Sequence, residues 1–436
     1  MTGLGRRTDR QILAVAVPAF FALVSEPLML LADTAIVGRL GTPQLAGLGA
    51  ASTVLLTVVG LCVFLAYGST ASVGRLHGAG RPDAAYAGAV GGLWLALGVG
   101  VALGAATSLA APLLAAGLTD SAASAGHARD YLLVSGAAVP AMLLVLAATG
   151  ALRGTLDLRT PLVVTVGANV LNVGLNLWFV HGLDLGVAGS AAGTALAQWA
   201  AAVALVGVVL GRARRAGTRL GPAFAPVLEA GRTGVPLLVR TATLRAALLL
   251  ATAVAATLGD VSLAGHQILT AVVSLLAFAL DAVAIAGQTL TGRALGAADP
   301  DLARRLTRRM IGWGVGTGLL GGLGLLAVSP WLAGWFVDDP RVADVLAPAL
   351  LVVAVVQPVS GVVFVLDGVL IGAGDGTYLA WAGLVTLAVY APLALIVGAL
   401  GAGLGWLWLA YGGFQLARLV TLWLRQRGDH WMVLGA

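Results

Sequence analysis

Apolar runs long enough to cross a bilayer follow one another along almost the whole chain, and nothing constrains its fold more. A helical span needs about 20 such residues. Twelve runs can be marked, at approximately 11–38, 45–73, 84–117, 128–152, 160–181, 186–211, 234–258, 262–292, 307–337, 344–371, 378–400 and 403–424. Backbone in hydrocarbon must satisfy its own hydrogen bonds, so runs of this length are read as helices. Only 10% of the residues are charged, against roughly a quarter in a soluble domain. The expected fold class is all-α: an integral membrane protein of twelve transmembrane helices.

Arginine placement orients the chain. All 25 basic residues are arginines. With the amino terminus inside, nineteen lie on inside segments. Arg39, Arg129 and Arg341 lie outside, and Arg240, Arg245 and Arg418 lie within spans. Positive charge accumulates on the cytoplasmic side, so a multi-pass protein of the cell inner (plasma) membrane with both termini cytoplasmic is expected. The net charge of +6 is then a matter of topology and does not imply nucleic acid. Arg6, Arg7 and Arg10 precede a run too long for a signal-peptide core, which reads as the first retained span. Cys62 is the single cysteine, so no internal disulfide forms.

An internal repeat appears at an offset of 218 residues. Pro18, Pro82, Pro112 and Pro140 recur as Pro236, Pro300, Pro330 and Pro358. Leu45-Ala46-Gly47 recurs as Leu263-Ala264-Gly265, Gly74-Arg75 as Gly292-Arg293, and Gly154 and Asp157 as Gly372 and Asp375. Six spans per repeat start both halves on the same side. The expectation is two parallel six-helix lobes with pseudo-twofold symmetry about the membrane normal. The expected organisation is a tail at 1–10, an N-lobe at 11–211, an arginine-rich linker at 212–233, a C-lobe at 234–427 and a tail at 428–436. Gly100-x-x-x-Gly104 and Gly318-x-x-x-Gly322 are read as small-residue packing.

Ionisable groups inside spans cost about 2.5–3.5 kcal/mol each on insertion scales, and so mark function or pairing. Here they break the repeat. Glu26 stands opposite Leu244, Asp33 opposite Ala251, Asp281 opposite Val63 and Asp367 opposite Thr149. Arg240 stands opposite Ala22 and Arg245 opposite Pro27. Scaffold obeys the duplication, whereas transport chemistry need not. Glu26 and Asp33, seven apart, share a face of the first helix. Pro18 removes a hydrogen bond there and permits a bend, so a carboxylate on this helix can act as a proton switch. The alternatives are a helix-end role for Asp33 and an arginine partner for Glu26. Thr165, Asn169, Asn172 and Asn176 form a polar stripe on the fifth span, and Thr194 with Gln198 another on the sixth. Interhelical hydrogen bonding explains Asn169 and Gln198. In the second half Ser274, Asp281 and Gln288 share a face, as do Ser360 and Asp367. Four acids and two arginines can pair and leave two acids to carry protons or hold a cationic substrate. Structural ion pairs alone are the competing explanation.

Other chemistries find no support. Gly316-x-Gly318-x-x-Gly321 lies in an apolar span without a preceding strand. The five histidines are scattered, and no P-loop is present. No enzyme activity and no cofactor are expected.

The stretch Pro18…Asp33-Thr34-Ala35-Ile36-Val37-Gly38-Arg39-Leu40-Gly41 resembles the first-helix signature of the multidrug and toxic compound extrusion (MATE) family. Leu152-Arg153-Gly154…Asp157 and its echo Leu370-Ile371-Gly372…Asp375 resemble that family's paired loop motifs. Leu258-Gly259-Asp260, Ala264-Gly265-His266-Gln267 and Phe278-Ala279-Leu280-Asp281 are similar to its DinF-like branch. The resemblance implies a two-lobe antiporter that exports lipophilic or cationic organic compounds in exchange for protons or sodium. It implies Asp33 as the coupling residue, with Asn172, Asn176 and Thr194 around it. The family's usual fifth-helix aspartate is Asn176 here, which favours protons. Asp367 falls near an acid of a sodium-coupled branch, so sodium near Asp33 or Asp367 stays open. The expected partners are a small-molecule substrate, the coupling ion and membrane lipid, with no nucleic acid and a monomeric state. The alternative is a lipid-linked precursor flippase of the same superfamily. That function asks for a more cationic cavity than one in which acids outnumber arginines.

Overall fold

The structure, a computed structural model, describes residues 2–119, 121–336 and 339–435, with side chains from residue 6. Fourteen α-helices account for nearly all of it: α1 (Thr2–Gly38), α2 (Thr42–Leu61), α3 (Phe64–Gly78), α4 (Pro82–Leu118), α5 (Ala122–Gly136), α6 (Val139–Gly154), α7 (Arg159–Leu177), α8 (Gly186–Arg215), α9 (Phe224–Thr257), α10 (Asp260–Gly296), α11 (Pro300–Leu332), α12 (Pro340–Gly372), α13 (Gly376–Leu400) and α14 (Leu404–Arg427). A π-helical turn, Trp178–Gly182, follows α7. The described residues contain no strand.

Ten helical stretches are long and apolar enough to cross a membrane, with α2 and α3 counted as one. The run expected as a single helix over 128–152 is a pair, α5 and α6, bent by 51°. Pro140 sits in the first turn of α6, where its missing N–H costs nothing; its repeat mate Pro358 lies inside the continuous α12, so the break is particular to the first half. Counted together the pair is the eleventh; α14, expected as the twelfth, carries Arg418, Arg425 and Arg427 and is not apolar enough to qualify by composition. Outward-facing leucines such as Leu109 and Leu320, 84% and 74% exposed, fit a surface whose solvent is lipid.

The duplication is written into the helix ends. At the 218-residue offset, Thr42 opening α2 answers to Asp260 opening α10, and Pro82 opening α4 to Pro300 opening α11. Gly154 closing α6 answers to Gly372 closing α12, and Gly186 opening α8 to Leu404 opening α14. Packing repeats with equal fidelity. A methyl group on Gly100 would fall 2.6 Å from Pro140 Cα, and one on Gly318 2.8 Å from Pro358 Cα. Gly150 lies against the Ala66 carbonyl as Gly368 lies against that of Ala284. These glycines let helices meet backbone to backbone, as their spacing suggested.

Two compact units emerge. Unit 1 comprises residues 1–20 and 236–436; unit 2 comprises 21–235. In unit 2, α3 and α4 pack on α6, and α7 packs on α8. In unit 1, α12 lies between α10, α11 and α14. Its core gathers Leu269, Leu346, Tyr390, Trp408 and Phe414. Both boundaries fall inside continuous helices, within α1 and within α9. The non-helical connector between α8 and α9 is only 216–223, because α8 extends through its arginines to Arg215.

Candidate functional site

In unit 2 three helices converge on one carboxylate. Asp33 on α1 is 2% exposed, and Asn172 and Asn176 on α7 are both fully buried. The i, i+4 spacing of the two asparagines places them on one face. Asn176 Nδ2 donates to Asp33 Oδ1 at 2.6 Å and lies 3.4 Å from both Asn172 Oδ1 and Ser190 Oγ. Asn172 Nδ2 donates to Thr194 Oγ1 on α8 at 2.9 Å. Thr194 also acts electrostatically on Asp33, and Tyr131 on α5 is close enough to feel both. The expected quartet of Asp33, Asn172, Asn176 and Thr194 is therefore one connected network. Ser190 and Tyr131 were missed from the sequence. Ser190 lies four residues before Thr194, one helical turn away, which was a usable signal. Tyr131 carried none.

Among the described residues no cation pairs with Asp33, and its hydrogen-bond donor, the Asn176 amide, is neutral. Asn176 Oδ1, also buried, accepts no hydrogen bond. It fits only because residue 193 is glycine: a Cβ there would fall 2.1 Å from it. Gly193→Ala is expected to push the Asn176 amide away from Asp33. Transport should fall, and stability should drop by about 1–3 kcal/mol from overpacking. A transport assay paired with thermal unfolding in detergent checks both.

Glu26 does not join the network. Its side chain has open surface yet is densely surrounded, and it makes no ion pair among the described residues. It shares Asp33's stripe on α1, but near it α7 offers only Asn169, whose Nδ2 donates to the Ser25 carbonyl at 2.8 Å. That contact is interhelical glue, as expected of Asn169. Helical backbone runs unbroken through Pro18.

Unit 1 treats its acid differently. Arg240 on α9 and Arg418 on α14 both bond Asp367 Oδ2 on α12, Arg418 at 2.9 Å. Asp367 is 7% exposed and Arg418 10% by side chain. Arg418 Nη1 donates to Gln415 Oε1 at 3.1 Å, and Gln415 Nε2 to Ser360 Oγ at 3.1 Å. Asp281 on α10 is in electrostatic reach of Arg418. Gln288 is buried on the same helix, its carbonyl pressed against Gly372. Two readings of this half need correction. Arg245 is exposed and takes no part in the cluster, because five residues of helix turn it well away from Arg240. Arg418, left out when four acids and two arginines were weighed for pairing, is the second clamp on Asp367. It stands opposite Ala200 at the repeat offset, so the test that singled out the other charges also singles out this one. Beside the cluster is a cavity of about 180 Å³ lined by Phe364, Trp408, Tyr411, Phe414, Gln357 and Arg418, among others.

Comparisons with known proteins agree with this architecture. The MatE family model matches twice, at 18–178 and 236–396, which reproduces the 218-residue offset. Protein DETOXIFICATION 44, chloroplastic, of Arabidopsis thaliana is 30% identical over 459 residues, covering 99% of this chain and 85% of that protein. DNA damage-inducible protein F of Escherichia coli is 29% identical over 443 residues, covering 97% and 93%. Among solved structures, the Vibrio cholerae MATE transporter VcmN superimposes with TM-score 0.87 at 22% identity, covering 98% of each chain. A transporter of Pyrococcus furiosus assigned to the MOP superfamily superimposes with TM-score 0.84 at 22% identity, covering 96% of each. With two family matches in register with its own repeat and relatives along its full length, this multi-pass membrane chain belongs to the MATE family of small-molecule transporters and is not an enzyme.

Proposed function

We propose that the protein is a secondary antiporter that exports lipophilic, often cationic, organic compounds in exchange for protons. Its place is the inner membrane, with both termini cytoplasmic, and it acts as a monomer in lipid. The observation that carries this reading is the contrast between two buried acids. Asp367 is neutralised by two arginines. Asp33 is buried among neutral amides and hydroxyls, with no counter-charge among the described residues. An uncompensated carboxylate in a low-dielectric site is where one arriving cation changes the energy most. Asp33 is therefore the coupling residue, with Asn176, Asn172 and Thr194 as its positioning shell, and Asp367 is scaffold beside the second-half cavity.

The proton is favoured because the network offers one carboxylate and amides rather than two carboxylates. One feature supports sodium as a second reading: Asn176 Oδ1 accepts no hydrogen bond, and an oxygen so placed beside Asp33 suits a hard cation. Arg240 and Arg418 are engaged by Asp367, which supports organic-cation export over handling of a pyrophosphate-bearing lipid. Purified protein in proteoliposomes, given a proton gradient or a sodium gradient separately, decides the ion. Dye efflux should follow the proton gradient alone. Efflux that follows sodium at constant pH would transfer the role to that ion, and no efflux under either would end the antiporter reading.

A further inference from the structure

The unit boundaries and the repeat disagree in an informative way. By the repeat, the opening turns of α1 belong with the first half. In the structure, residues 1–20 belong to the unit formed by the second half. The same holds in reverse for α9, whose residues up to 235 belong to the first half's unit. The lead helices of the two repeats have exchanged their opening turns. Each exchange occurs beside a duplicated proline, Pro18 or Pro236. A proline removes one backbone hydrogen bond and loosens the helix there.

The docking contacts also correspond. Asp9 on α1 is gripped by Arg309 on α11, Nε to Oδ1 and Nη2 to Oδ2, both at 2.6 Å. Trp313 Nε1 adds a third bond to Asp9 Oδ1 at 2.9 Å. Behind this clasp Ile12, Val15, Ala16 and Ala19 form a buried stripe, none more than 7% exposed. At the repeat offset Arg309 answers to Gly91, and the turn around Asp9 to the turn around Pro226. Gly91 is packed hard on Pro226: a Cβ there would fall 2.7 Å from Pro226 Cβ. Trp94, one turn on, donates its indole N–H to the Leu220 carbonyl at 3.0 Å. So both docking sites use the third span of the half, with the Trp94 bond falling on the connector just before α9, but they are closed differently. The α9 end is wedged by apolar and backbone contact. The α1 end is held by an ion pair whose arginine side chain is 53% exposed. Water can replace the partners of an exposed ion pair at small cost, whereas it cannot replace close apolar packing.

We propose that residues 6–20 are a releasable strap. The Asp9–Arg309–Trp313 clasp docks the opening turns of α1 on α11 at the cytoplasmic side, and undocking it is a step of every transport cycle. The α9 counterpart is the fixed staple of the pair. This rests on the antiporter reading for the word transport, but the docking itself is tested independently.

Replace Cys62 with alanine and introduce Ile12→Cys, which is fully buried when the strap is docked. Its reaction rate with a membrane-impermeant maleimide in inside-out vesicles reports undocking. Asp9→Asn and Arg309→Gln should each raise that rate about three- to fivefold, the worth of an exposed ion pair. Arg309→Lys, which keeps the charge, should restore it most of the way and shows that the variants fold. Unchanged labelling in both charge-removed variants overturns the proposal. In a second arm, Asp9→Cys with Arg309→Cys is bridged by a reducible bifunctional methanethiosulfonate. Dye efflux should stop on bridging and return on reduction. Bridged protein that exports as fast as reduced protein also overturns the strap. If reduced and parent proteins export nothing, the antiporter reading has failed, and the labelling arm still decides the docking.

Discussion

Asp33→Asn is expected to reduce coupled efflux to background while the protein is made and inserted normally. The substitution is isosteric, so the shell of Asn172, Asn176 and Thr194 keeps its shape. What disappears is the charge, and with it the ability to exchange that charge for a bound proton. No neighbour can substitute, because among the described residues no second carboxylate joins the hydrogen-bonded network. Glu26→Gln should be far milder, since Glu26 has open surface and lies outside the network. The check is drug resistance in an efflux-deficient host together with proton-driven dye efflux in vesicles. Wild-type resistance from Asp33→Asn would remove this residue from the coupling step.

Asp367→Ala should instead be a stability mutant. It leaves Arg240 and Arg418 close together in the membrane interior without their shared counter-ion. Removing one member of a buried ion pair costs about 3–5 kcal/mol. The folded yield should fall sharply, and what remains should unfold at lower temperature in detergent. Asp281, already in reach of Arg418, offsets part of the loss. Removing a clamp together with its acid should relieve the strain: Asp367→Ala with Arg418→Met should be more stable than Asp367→Ala alone. A double-mutant cycle of melting temperatures measures this. Additive losses would show that the triad is not a coupled unit.

The fold was legible because hydropathy and repetition are low-resolution properties that one sequence displays in full. Run lengths gave the spans, and the proline pairs gave the duplication down to the residue at which α2 and α10 begin. The bend between α5 and α6 was less legible, because Pro140 is compatible with a continuous kinked helix as well as with a break. At the site, the α7 stripe was readable from spacing, while the choice between Asn169 as glue and Asn176 as partner to Asp33 rests on which turn of α1 passes it. Pairing was illegible for a general reason. A sequence tells which helix face carries a charge but not which helix lies opposite, so Arg240 and Arg245 could be placed on different faces but not assigned an acid, and only Arg240 meets Asp367. The exchange of opening turns between α1 and α9 left no mark at all, because exchanged and unexchanged helices have the same composition.

The glycine contacts at Gly100, Gly150, Gly318 and Gly368 carry a mechanical consequence. Where two helices touch through bare backbone, no side chain stands between them to rotate and absorb a push. Such a seam transmits displacement as a dowel does rather than as a cushion. The bundles that these seams hold together should therefore move as blocks.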